Sequence, residues 1–180
     1  MTNAIIIPGN GNTDISENWF PYAQRELEKL GIEVRAKNMP DPELARAQYW
    51  LPFIEHDLKA NEDSILIGHS SGAVAIMRYL ETHKVKGAVL VGVYYTDFDM
   101  ESEKASGYFD APWKWDAIKA NAGWIAQFTS TDDPYIPIQQ ARYVHDRLNT
   151  EYHEYHNKGH FGSEVREFPE IIEVIKGKGL

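Results

Sequence analysis

Apolar and polar positions fall into two alternating textures along this chain. Short runs that are apolar almost throughout are separated by longer stretches in which apolar residues recur every three or four positions. A run of four to eight apolar residues reads as a strand covered on both faces, and the longer amphipathic stretches read as the crossover helices that cover it. The pattern predicts strands at 3–7, 32–37, 64–67, 86–93, 123–128 and 151–155. The fourth and fifth, rich in Val, Ile and aromatic residues, are expected to be central. The last alternates polar with apolar residues and is expected at an edge. This is a six-stranded, mostly parallel sheet of the α/β class with helices on both faces.

The helices have their own punctuation. Trp19, Tyr22 or Ala23, Leu27 and Leu30 lie on one helical face, and Gly31 stands where a helix commonly stops. Asp41-Pro42 reads as a helix start, with a capping carboxylate followed by a proline whose missing N–H does no harm in the first turn. Pro52 falls inside the pattern that follows, which predicts a kink or a break. Further helices are expected at 71–83, 138–148 and 163–176. Between 94 and 121 the alternation lapses into charged residues and aromatics, the expected content of a cap or lid inserted after a strand's carboxyl end. The expected organisation is one domain over 1–180 carrying that insertion.

Gly68-His69-Ser70-Ser71-Gly72 gives this architecture a chemistry. The five residues join an apolar run, Ile65–Ile67, to a helical one beginning at Ala73, so G-x-S-x-G stands at a strand-to-helix corner. A turn that tight strains the serine and leaves no room for side chains on either flank, and it presents the Ser70 hydroxyl at the carboxyl end of the sheet. A serine hydroxyl is a weak nucleophile until a base takes its proton and a third group orients the base. In such a sheet both come from later loops on the same edge, in the order Ser, acid, His.

Two loops qualify. Thr129–Pro137 follows the fifth predicted strand and holds Asp132 and Asp133; Asn157–Gly162 follows the sixth and holds His160. Of seven histidines, His160 is the one on a loop at that edge, and the expectation is that it acts as the base. The others are expected to be solvated or packed, His69 included, because the elbow turns neighbouring side chains apart. Asp133 is preferred as the orienting acid because the stiff D-P-Y-I-P string would hold it still, leaving Asp132 to tie the loop through backbone N–H groups. For the oxyanion hole the expected donors are the backbone N–H groups of Ser71 and of Asn10, in the glycine-rich loop after the first strand, with Gly11 next. Neither G-x-G-x-x-G nor a Lys-Ser/Thr ending follows that loop, which disfavours a phosphate site. Tyr108, Trp113 and Trp115 are candidate lining for an apolar substrate pocket, and the acidic residues of the same segment are expected on a solvated face.

Composition narrows the possibilities. A formal charge of −9 argues against nucleic acid or an anionic membrane as partner. The chain has no cysteine, which excludes thiol nucleophiles and zinc–cysteine sites. No cofactor or metal is called for. The apolar run at 4–7 is short, has no basic flank and reads as a strand rather than a secretory signal, so a cytoplasmic location is expected.

With Ser70, Asp133 and His160 assigned, the chain resembles the α/β-hydrolases, and more closely the small serine hydrolases typified by retinoblastoma-binding protein 9. The resemblance runs through PGNGN near the start, AKNMPDP at 36–42, WLPF at 50–53, GHSSGA at 68–73, ASGYF at 105–109, PWKW at 112–115, STDDPY at 130–135 and GHF at 159–161. It implies a compact hydrolase with a Ser-Asp-His triad and a small cap, and places the acid at the second Asp of DDP, which is Asp133. Retinoblastoma-protein binding is associated with an L-x-C-x-E motif, which a chain without cysteine cannot contain. The function expected is metal-free hydrolysis of small ester or amide substrates through an acyl-enzyme. The alternatives are aminopeptidase-like amide hydrolysis and a non-catalytic protein-binding module on a hydrolase fold.

Overall fold

A computed structural model describes residues 1–179. Its strands are β1 (Asn3–Ile7), β2 (Glu33–Ala36), β3 (Ser64–His69), β4 (Gly87–Val91), β5 (Ile125–Ser130) and β6 (Glu151–Tyr155). Its helices are α1 (Phe20–Lys29), α2 (Ala47–His56), α3 (Ser71–Leu80), α4 (Glu101–Ser106), α5 (Trp115–Asn121), α6 (Ile138–Leu148) and α7 (Pro169–Gly177). The six strands form one sheet in the order β2-β1-β3-β4-β5-β6, with every pairing parallel. The sheet is therefore wholly rather than mostly parallel, and β6 is an edge as its alternation predicted.

Uniformly apolar strands follow from burial on both faces. Ile5 and Ile7 of β1 pack with Trp50 and Ile54 of α2 and Val74 and Met77 of α3, while Ala4 and Ile6 face Phe20 and Leu27 of α1 and Ile171 and Ile175 of α7. Successive side chains point to opposite faces, so a strand between two helical layers must be apolar at every position. From β1 the chain moves outward to β2, then crosses back to β3 on the other side of β1. That reversal opens a crevice beyond the carboxyl ends of β1 and β3, where open α/β sheets bind ligands. The loop after β1 and the Ser70 corner after β3 both lie there.

Two helices start away from their predicted positions. Asp41 does not start a helix; its φ is 48°, and its carboxylate accepts the Arg46 backbone N–H at 3.0 Å and the Arg46 Nε and Nη2 at 2.9 Å each. These charge-assisted bonds fold residues 41–46 into a closed loop and hold the Asp41 carboxyl below the usual carboxylate range. Helix α2 thus begins at Ala47 and runs through Pro52 unbroken. Proline there forfeits one backbone bond, to the Gln48 carbonyl, and buried Trp50 and Ile54 keep the helix seated. Helix α7 begins at Pro169 rather than near 163. Proline suits the first helical position, and it forces Phe168 (φ −138°) out of the helical region.

The segment between β4 and β5 holds α4 and α5. It packs over the carboxyl-end crevice through Tyr94, Phe98 and Met100. None of the helices is long and apolar enough to cross a membrane, among the described residues.

Candidate active site

Ser70 sits at the corner between β3 and α3 with φ 54° and ψ −118°. A side-chain-bearing residue there costs about 1–3 kcal/mol, so the surrounding packing must enforce it. The enforcement is visible in the two glycines. A Cβ on Gly68 would stand 2.6 Å from the Gly72 carbonyl, and one on Gly72 would stand 2.5 Å from the Pro8 oxygen. No L side chain fits either place, so α3 packs directly on the ends of β1 and β3. The Ser70 N–H donates to the Val91 carbonyl at 2.8 Å, which ties the corner to β4.

Asp133 and His160 meet as a pair, with the imidazole Nδ1 2.7 Å from Asp133 Oδ2 and the carboxylate side chain almost wholly covered. The other oxygen of Asp133 accepts the backbone N–H groups of Tyr135 (2.8 Å) and Ile136 (3.0 Å), which fixes its plane. A carboxylate partner places the imidazole proton on Nδ1 and leaves Nε2 free to act as a base. Asp132, meanwhile, accepts the Gly159 N–H at 3.0 Å and the Ser130 hydroxyl, clasping the two loops together. Ser70 and His160 line one cavity of about 300 Å³, with Gly9, Asn10, Thr13, Tyr94, Phe98, Glu103 and Tyr135 among its other walls.

The expected oxyanion donors, Asn10 and Ser71, differ from the alternative at Gly11. The Gly11 N–H donates to the Glu43 carbonyl at 3.1 Å, and that of Asn12 to Pro42 at 3.1 Å. Those of Asn10 and Ser71 meet no acceptor among the described residues. Ser71 opens α3, so the positive end of a ten-residue helix adds to its N–H.

His69 has a definite role that its place beside Ser70 did not suggest. Its Nε2 lies 2.6 Å from the carbonyl oxygen of His160, so it donates there, and the two rings lie 4.9 Å apart between centroids. Burial, with the neighbouring His160 charge as a smaller cause, pushes the His69 pKa down to about 3 and keeps it neutral. Its Nδ1 is buried with no partner among the described residues. Trp19 adds a second hold on the same loop, its indole N–H reaching the Phe161 carbonyl at 3.1 Å.

The aromatic expectation requires correction. Tyr108 is 1% exposed, in the core behind the cavity. Trp113 donates its indole N–H to the Tyr95 carbonyl at 2.9 Å beneath the Arg78 guanidinium, and Trp115 packs on Trp113, Tyr95 and Tyr143. Both tryptophans line a separate depression with Lys114 and Arg147. The cavity takes its aromatic surface instead from Tyr94, Phe98 and Tyr135. Nor is every acid of this segment on a solvated face. Glu103 is buried at the cavity wall and accepts the Tyr94 hydroxyl at 2.9 Å and the Asn10 side-chain amide at 3.3 Å. Burial raises its pKa. Glu103 in a six-residue helix carries no sequence signal of this, because Asn10 stands 93 residues away along the chain and Tyr94 lies before the helix.

Comparison with known proteins agrees with the fold and extends it. The profile of the family described as serine hydrolase matches residues 4–176. The serine hydrolase RBBP9 of Rattus norvegicus is 48% identical over 177 residues, covering 97% of this chain and 94% of that protein. The crystal structure of the ydeN gene product from B. subtilis superposes with a TM-score of 0.88 at 22% identity, over 99% of this chain and 98% of that one. A serine hydrolase, CCSP0084, from the polyaromatic hydrocarbon-degrading bacterium Cycloclasticus zankles aligns with a TM-score of 0.70 at 14% identity, over 99% and 89% of the two chains. With an α/β-hydrolase fold, a profile match over residues 4–176 and 48% identity over 97% of its length, this chain belongs to the serine hydrolase family.

Proposed function

We propose that Ser70, His160 and Asp133 form the catalytic triad of this hydrolase, and that it cleaves small esters or amides through an acyl-enzyme. The Ser70 oxygen attacks the substrate carbonyl carbon as its proton passes to His160 Nε2. Asp133 holds the Nδ1 proton and stabilises the imidazolium. The carbonyl oxygen, now an anion, accepts the free N–H groups of Asn10 and Ser71. Collapse of this intermediate breaks the bond to the alcohol or amine, which leaves with the proton from His160. Water then gives a proton to His160 and attacks the acyl carbon. The carboxylic acid departs and the proton returns to Ser70. No step calls for a metal or cofactor. The segment over 94–121 serves as a small cap, and the modest cavity beneath it suits a short acyl group.

The observation that carries the reading is the covered Asp133–His160 pair opening onto the same cavity as a serine held at a left-handed corner. Steady-state hydrolysis of short-chain acyl esters tests it. Ser70→Ala and His160→Ala are each expected to lose about 10⁴-fold or more in kcat. A rate within tenfold of the wild type in either variant would contradict the triad.

A further inference from the structure

We propose that Glu103 is a positioning residue for the oxyanion hole, a single carboxylate from the cap that clamps both of its donors. The proposal rests on the triad reading above. One oxygen of Glu103 accepts the Asn10 side-chain amide at 3.3 Å. The other accepts the Tyr94 hydroxyl at 2.9 Å, and that hydroxyl lies 3.1 Å from Ser71 Oγ. Asn10 lines the cavity and Ser71 follows the Ser70 that lines it, and the backbone N–H groups of both meet no acceptor among the described residues. They come from different elements, the β1 loop and the start of α3, and Glu103 with Tyr94 spans the gap between them.

The arrangement explains why a carboxylate is buried here at all. Glu103 and Tyr94 are both largely excluded from water, at 9% and 2% exposure. An unpaired acid in such a place is costly, and one that accepts two hydrogen bonds is tolerated. Its bonds run to the side chains of the hole's residues and leave their backbone donors unoccupied. Preorganised donors act because they need not reorient when charge develops, so a brace behind them favours the transition state over the bound substrate. Thr13 completes the brace on the Asn10 side, its hydroxyl donating to the Asn10 carbonyl at 2.8 Å.

The test is a kinetic series on a short acyl ester with Glu103→Ala, Glu103→Gln, Tyr94→Phe and the Glu103→Ala/Tyr94→Phe pair, with Ser70→Ala alongside. Glu103→Ala is expected to lower kcat by about 10- to 100-fold, somewhat less than removal of a hole donor itself, with KM within about threefold. Glu103→Gln should restore most of that loss. Its oxygen still faces Asn10, and its amide can donate to Tyr94 while the Tyr94 hydroxyl turns to Ser71. Tyr94→Phe should slow kcat alone, and the paired variant should lose less than the product of the single losses, as expected for one connected unit. Should Glu103→Ala fail to fold, Glu103→Gln and Tyr94→Phe still decide. Unchanged kcat in Tyr94→Phe overturns the clamp. So does a Glu103→Gln enzyme whose KM rises without loss of kcat, because a charge that binds substrate would behave that way. If Ser70→Ala keeps wild-type turnover, the triad falls and the clamp with it. If Ser70→Ala is inactive while Glu103→Ala runs at the wild-type rate, only the clamp falls.

Discussion

His69 illustrates how one side chain holds another in place by staying neutral. It donates to the carbonyl of His160 and packs against that ring, and neither contact requires charge. Its folded pKa of about 3 lies well below the 6.5 of a free imidazole. As pH falls through about 6.5, the unfolded chain takes up a proton at this position and the folded chain does not. Stability that is fully present above 6.5 is therefore lost toward pH 3, at about 1.4 kcal/mol per pH unit for one proton. His69→Gln keeps an N–H for the His160 carbonyl and removes the titration. Urea unfolding at pH 7 and pH 5 should show the wild type losing about 2 kcal/mol more than His69→Gln over that interval. Equal losses would contradict the assignment of a buried, neutral imidazole. At the same scale lies the contrast between Asp132 and Asp133. The stiffness of D-P-Y-I-P pointed to Asp133, and the backbone N–H groups of Tyr135 and Ile136 within that string hold its carboxylate plane.

At the scale of elements, β1 was legible because burial on both faces leaves an unmistakable apolar run, and the alternating edge strand β6 and the helix α6 also begin and end where their patterns placed them. Helix starts were harder. Asp41-Pro42 has the right residue types for a cap, but the five-residue reach from Asp41 to Arg46 makes a bidentate ion pair that closes a loop instead. Local chemistry fitted both outcomes, and a contact within the loop decided between them. The displaced start leaves Pro52 in the second turn of α2, on the exposed side. Pro52→Ala should stabilise the protein by about 1–2 kcal/mol, from a regained bond to Gln48 less the entropy returned to the unfolded chain. Chemical denaturation reads this directly, and a loss of stability would mean that α2 depends on its proline. The cap resisted reading for a related reason. Tyr108, Trp113 and Trp115 looked like pocket residues because they are aromatic, yet Arg78 and Tyr143 absorb the tryptophans into packing away from Ser70. Glu103 looked like surface because it is charged, and only its bonds to Tyr94 and to the distant Asn10 reveal otherwise.

Across the whole molecule, the reversal of strand order between β1 and β3 determines where chemistry is possible. It brings the free N–H of Asn10 beside the corner that carries Ser70, while β5 and β6 deliver Asp133 and His160 from the far side of β4. Asn10, Ser70 and His160, far apart in sequence, thus line one cavity. The order Ser, acid, His along the chain is the expectation because parallel strands all end on the same edge. The contact of Glu103 with Asn10 carries no such signal, because it depends on how the 94–121 segment folds back over the β1 loop. The reactivity of Ser70 is the most direct test of the proposed triad. The measurement is intact-mass analysis with peptide mapping after incubation with a fluorophosphonate probe. The expected result is one adduct per chain, carried by the peptide containing Ser70, absent from Ser70→Ala and strongly slowed in His160→Ala. A folded wild-type protein that stays unmodified, or an adduct that persists in Ser70→Ala, would contradict it.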